Sequence, residues 1–180
     1  MKEGIYGFTT PQTRFLSNFW MVEFVYKNFH FTSSEHAYQA RKMTNVEDFK
    51  KVWFCRTPGQ AKRMGNSLPV REDWDSVKEE FMLEILRCKF RHPDMKKLLL
   101  DTGDLYLEET NTWNDTFWGV CNGKGLNKLG YILMQIREEL RNEDSANNYI
   151  AESSRPWDTS DIVSQDIYDT RTMRSSSSGN

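Results

Sequence analysis

Acid, imidazole and amide side chains stand together in Thr32-Ser33-Ser34-Glu35-His36-Ala37-Tyr38-Gln39-Ala40, where an ordinary core helix would be apolar. The two serines can cap a helix whose first turn holds Glu35 and His36, which puts the carboxylate near the positive end of the helix dipole. Glu35 and Gln39, four residues apart, share one face. An acid and an imidazole are acid–base groups, yet His36 points away from Glu35 on a helix and is expected to be structural. For Glu35 the plainer reading is an acid that helps its own helix start.

Other chemistry-bearing positions are scattered. Lys89 lies beside an apolar helix stripe, where a lysine either snorkels to the surface or aims its amine into a pocket that wants a cation. Glu108 ends an apolar run. From Trp113 to Gly130 the chain is rich in Gly, Asn and Trp, and such glycines can let a backbone approach a ligand closely. Gly123-Lys124-Gly125 lacks the spacing of a phosphate-binding P-loop. Cys55, Cys88 and Cys121 form no Cys-x-x-Cys pair, which argues against zinc and against a disulfide framework.

These residues need elements to hold them. Met21 to Phe31 alternates around Lys27-Asn28 and predicts a hairpin leading into the Ser33 helix. Val46 to Cys55 predicts a second helix, and Thr57-Pro58 starts a third that Gly65 ends. The longest helix runs from Trp74 to Arg91, with Val77, Phe81, Ile85 and Cys88 on one stripe. Asp94 to Leu100 follows, with Leu98-Leu99-Leu100 expected in the core. Leu105 to Thr110 reads as a strand, and Asn127 to Arg141 as the closing helix.

The 180 residues carry a net charge of −2 with both signs mixed, unlike a dedicated nucleic-acid coat. Met1-Lys2-Glu3-Gly4 lacks the apolar core of a signal peptide, and no run is apolar enough to span a membrane. A cytoplasmic, soluble protein is expected. Residues 143–180 turn polar and lose periodicity, which predicts a disordered tail after a domain at 1–142. Trp157, Ile162, Val163, Ile167 and Tyr168 are that tail's apolar residues, and any partner they dock on is unknown.

The ordered set Phe15-Leu16-Ser17-Asn18-Phe19, Ser33 through Ala40, Ala61-Lys62-Arg63-Met64-Gly65, Trp74 through Lys78, Lys89-Phe90, Leu107-Glu108, Trp118-Gly119 and Gly125 through Gly130 resembles the YbiA-like, or NADAR, family over roughly residues 6 to 141. The resemblance implies a single α+β domain, mainly helical with a small β element. It also implies hydrolysis of an N-glycosidic bond at the anomeric carbon of a ribose carrying phosphate, with no metal and no cofactor. Two substrate classes follow from it: phosphoribosylamino-pyrimidine intermediates of riboflavin biosynthesis, and ADP-ribose on guanine, free or attached to nucleic acid.

By the same resemblance Glu35 and Lys89 are the catalytic candidates. Lys89 would neutralise phosphate or attack the opened sugar as a Schiff-base amine. Asn18, Phe19, Ser34, Trp74, Glu108, Trp118, Gly119 and Asn127 are the substrate-binding candidates, Trp74 either stacking on the base or anchoring its helix. Some relatives place an acid directly after the Trp-Gly pair; here Val120-Cys121 follows, with Asp115 as the substitute. The rival expectation is a module that binds ADP-ribose or a nucleotide without turnover.

Overall fold

The computed structural model describes residues 2–153. The unit Met1–Asn142 is a set of helices gathered around three two-stranded sheets. The hairpin forms as its alternation predicts: β2 (Phe24–Tyr26) pairs antiparallel with β3 (Phe29–Phe31). Lys27 and Asn28 take φ of 49° and 68° at the turn, the left-handed pair that a two-residue hairpin turn requires. The other pairs are parallel and join distant segments. β1 (Gly4–Tyr6) lies along β4 (Tyr106–Glu108), with Ile5 opposite Leu107 and Tyr6 opposite Glu108. β5 (Thr110–Asn111) lies along β6 (Val120–Cys121).

The helices are α1 (Ser34–Arg41), α2 (Val46–Trp53), α3 (Pro58–Asn66), α4 (Trp74–Phe90), α5 (Pro93–Leu100) and α6 (Lys128–Ser153). Side-chain caps start three of them: Ser33, Asn45 and Thr57 each accept a first-turn N–H, satisfying a donor that has no partner inside the helix. α4 buries Phe81, Met82, Ile85 and Phe90, and α6 buries Leu129, Leu133 and Ile136. Helix α1 packs against α2, α3 and α4, so every residue from Ser34 to Ala40 is buried, polar ones included.

Several expectations need correcting. Gly65 does not end α3; it lies within the helix, against Gln39 of α1. Leu99 is fully buried, but Leu98 is exposed and Leu100 only half-buried. The strand expected from Leu105 to Thr110 breaks at Glu109, where the chain leaves β1 as partner and takes β6. Helix α6 runs on to Ser153, past the predicted end at Arg141. The apolar tail residues from Trp157 onward lie outside the described residues. No helix among the described residues is long and apolar enough to cross a membrane.

Candidate active site

A cavity of about 510 Å³ opens where α1, α3 and the 15–19 segment face the strand break at Glu109. Its chemistry starts on α1. Ser33, extended at φ −168°, caps the helix through His36 N, and the Asn18 carbonyl takes the Glu35 N–H at 2.9 Å. This second bond ties the 15–19 segment to the helix start and brings Asn18, Phe19 and Glu35 to one cavity. Glu35 is 6% exposed, and Gln39 Nε2 donates to its Oε1 at 2.8 Å. Burial pushes the Glu35 carboxyl above the usual range. The Gln39 hydrogen bond opposes this, as do the charges of Lys62 and Lys42, while Asp115 adds to it.

The facing wall carries a second acid. Glu109 lines the cavity, and burial, with Asp115 and Glu35 nearby, pushes its carboxyl up to about 7. No hydrogen-bond donor among the described residues offsets that rise, as Gln39 does for Glu35. Asp115 is fixed from the other side: its Oδ1 accepts the N–H groups of Phe117 and Trp118 at 3.1 and 2.9 Å, and Asn111 brackets its backbone. The three acids face two lysines. Lys42 Nζ donates to Asn66 Oδ1 at 3.2 Å, and burial lowers its affinity for a proton. Lys62 is exposed, with its ammonium 5.4 Å from the centre of the Phe19 ring. Neither forms a salt bridge with a described residue. Tyr38, Trp113 and Trp118 supply aromatic surface, with Tyr38 and Trp118 edge to face at 5.6 Å.

Of the sequence candidates, Glu35, Asn18, Phe19 and Trp118 meet in this cavity, and Asp115 joins them. The others do not line it. Ser34 is fully buried, with its hydroxyl unpartnered. Trp74 stands behind Tyr38, ring centres 4.9 Å apart, and packs on Phe81. Lys89 neither snorkels nor enters the cavity: it is fully buried, and its amine donates to the carbonyls of Phe15 and Ser17 at 2.7 and 2.9 Å. Desolvation brings that amine down to about 7. Glu108 faces away, accepting a hydrogen bond from Thr110 Oγ1. His36 is structural, its ring held by Val52 O and Trp53 O at 3.1 Å each.

Gly119 and Asn127 act on the wall rather than on its contents. A Cβ at Gly119 would overlap the Glu109 carbonyl, and one at Gly125 the Gly119 carbonyl. The expected close approach is therefore chain on chain, not chain on ligand. Asn127, 2% exposed, clamps the strand break: its Oδ1 accepts Glu109 N at 3.1 Å and its Nδ2 donates to Leu107 O at 2.8 Å. Gln39 was legible as the partner of Glu35; the cavity residues that the sequence missed are Glu109, Lys42, Lys62, Tyr38 and Trp113. Glu109 had a signal, since it lies two residues from apolar Leu107 and so on the same strand face. Among the described residues no group of three or more His, Cys, Asp or Glu is placed to hold a metal ion.

Comparison with known proteins adds the following. Residues 6–141 match the NADAR domain. The chain is 44% identical over 112 residues to N-glycosidase YbiA of Shigella boydii serotype 4, covering 60% of this chain and 69% of that one. It is 40% identical over 120 residues to an N-glycosidase of Nostoc punctiforme, covering 63% of this chain and 76% of that one. A riboflavin biosynthesis protein of Vibrio vulnificus is 36% identical over 146 residues, which is 78% of this chain and 40% of that one. The NMR structure of the E. coli protein YbiA superposes with a TM-score of 0.71 at 35% identity, covering 80% of this chain and 89% of that one.

Proposed function

The chain belongs to the NADAR domain family, and from that we propose that it is an N-glycosidase that hydrolyses the bond between the anomeric carbon of a phosphate-bearing ribose and a nitrogen base. The observation that carries the reading is one cavity in which Glu35 and Glu109 face Lys42 and Lys62. The reaction needs all of those charges. Cleavage builds positive charge at the anomeric carbon, needs a proton for the departing nitrogen and leaves a phosphate to be held.

The environments divide the labour between the acids. Glu35 receives the Gln39 N–H and the pull of both lysines, which favour its ionised form; it steadies the oxocarbenium-like centre and draws a proton from the attacking water. Glu109, raised to about 7 with no such donor, still carries a proton near neutral pH and delivers it to the base. Burial raises both carboxyls; the base role is assigned to the one that accepts a side-chain hydrogen bond and the acid role to the one that accepts none. Lys42 and Lys62 hold the phosphate, and Tyr38, Trp113 and Trp118 pack on the ribose and base. Asn18 and Phe19 close the near side. Asn127, Gly119 and Trp74 position these groups without touching substrate. The riboflavin biosynthesis relative favours a phosphoribosylamino-pyrimidine as substrate; ADP-ribosylated guanine, free or on nucleic acid, is the other leaving group to test.

Lys89 seats the Phe15–Ser17 backbone from below. Its near-neutral amine favours a second role as well. Once the carbonyls of Phe15 and Ser17 both release it and the side chain leaves its buried seat for the cavity, the unprotonated form adds to the aldehyde of an opened ribose, and the carbinolamine loses water to give the imine.

The test is base release from each substrate by wild type and Glu35→Gln, with borohydride added in a parallel arm. Glu35→Gln is expected to lose a factor of about 10²–10⁴ in kcat. A reduced sugar adduct on Lys89 would establish the Schiff-base role, and its absence would leave Lys89 a seat for the backbone. Tight binding of both compounds by folded wild type without release would replace the enzyme by a binding module.

A further inference from the structure

Glycine is the residue that α3 places against α1 beside the buried acid. A Cβ on Gly65 would overlap Gln39 Oε1 and crowd its Cβ and Cδ. Gln39 is 3% exposed, and its Oε1 has no hydrogen-bond partner. An unpaired buried amide oxygen is costly, so its setting calls for a reason. The opposite end of the same amide supplies one, because Nε2 donates to Glu35 Oε1 at 2.8 Å. The oxygen lies where a Cβ on Gly65 would be. The NH2 group is then the end that faces the acid.

We infer that Gly65 is a positioning residue: by leaving room for the Gln39 carbonyl it fixes the amide so that an N–H, rather than an oxygen, meets the Glu35 carboxyl. A side chain at 65 pushes Gln39 off that seat, and Glu35 then loses the one side chain that hydrogen-bonds to it among the described residues. The charged groups around Glu35 stay where they are: Lys42 at the end of α1, Lys62 on α3, Asp115 in the loop after β5, and Glu109 at the strand break. What changes is the hydrogen bond alone. The role of Glu35 rests on the function proposed above; the geometry that seats it does not.

The experiment is a carbon-13 titration of the Glu35 side-chain carboxyl in the full chain, its resonance assigned by loss in Glu35→Gln. In Gly65→Ala the midpoint is expected to rise by on the order of one unit, because the ionised form has lost a donor. Gln39→Met, which keeps Gly65 and the side-chain bulk, is expected to give the same rise. Gly65→Ala added to Gln39→Ala is expected to give no further rise, since the two changes act through one contact. The same three variants are expected to lose kcat together, by up to about a hundredfold. An unmoved midpoint in Gly65→Ala or in Gln39→Met, or a full additional shift in the Gly65→Ala, Gln39→Ala double variant relative to Gln39→Ala alone, overturns the proposal. A shifted midpoint with unchanged turnover would instead overturn the catalytic role of Glu35 and leave the seating intact.

Discussion

The two acids of the cavity are held in opposite ways. Glu35 rides on a capped helix, anchored by Asn18 O through its own N–H and by Gln39 through its side chain. Glu109 sits at a strand break, with its backbone fixed by Asn127 and β6 and its carboxyl free of any hydrogen-bond donor among the described residues. One site thus fixes the side chain, the other only the main chain. Burial raises both carboxyls, but only at Glu35 does a donated side-chain hydrogen bond work against that rise, since such a bond favours the charged form and burial disfavours it.

That contrast breaks most visibly at Glu109. In Glu109→Gln the base-protonating acid is gone, and kcat is expected to fall about a hundredfold. Wild-type activity is expected to decline above about pH 7, where Glu109 loses its proton, and that decline is expected to vanish in Glu109→Gln, which a pH–rate profile reads directly. Stability changes in the other direction. The folded carboxyl keeps its proton up to about 7, whereas an ordinary glutamate releases it near 4.5, so the folded state loses stability as pH rises through that window. Thermal melts are therefore expected to show Glu109→Gln more stable than wild type at pH 8, by on the order of 2 kcal/mol, and equal to it near pH 4. Equal melts at pH 8 would show that the carboxyl is not desolvated as described.

Lys62 sharpens the comparison with a smaller effect. It is exposed, carries no salt bridge to a described residue, and its charge pulls both acids toward ionisation. In Lys62→Met, KM is expected to rise about tenfold with kcat changed far less, the mark of lost binding shared by ground and transition states. The alkaline limb assigned to Glu109 is expected to move upward at the same time. A change in kcat alone would argue that Lys62 acts on the acids and not on the phosphate.

Much of this was legible in the chain, and the failures have physical causes. Helical period and caps placed α1 and its acid, because a Ser cap and an i, i+4 pair are local. The hairpin was equally local. The parallel pairings β1 with β4 and β5 with β6 join segments far apart in sequence, and no short-range pattern announces them. Without them the strand from Leu105 read as continuous, and its alternation alone did not mark Glu109 as the acid that lines the cavity. The lysines were harder to place. Lys89 stands beside an apolar stripe, and the direction of its amine is set by the carbonyls of Phe15 and Ser17, far away in sequence. Nothing local marks Lys42 and Lys62 as site residues; they reach one cavity because α1 and α3 pack together around the close approach at Gly65.

The neighbouring acids Glu108 and Glu109 are the finest test, because a one-residue slip of a strand exchanges its faces. Glu108 contributes its backbone to the sheet, accepting Gly7 N at 2.9 Å, while its side chain meets only the exposed Thr110 hydroxyl at 2.9 Å. Truncating it removes neither the pairing nor any group in the cavity. Glu108→Ala is expected to leave kcat/KM within about twofold and stability within about 0.5 kcal/mol, as for an ordinary surface change. If Glu108→Ala abolished turnover and Glu109→Gln spared it, the register of Ile5 on Leu107 would be wrong by one residue. The acid facing Glu35 would then be Glu108, and the clamp of Asn127 on Glu109 would have to hold a different residue.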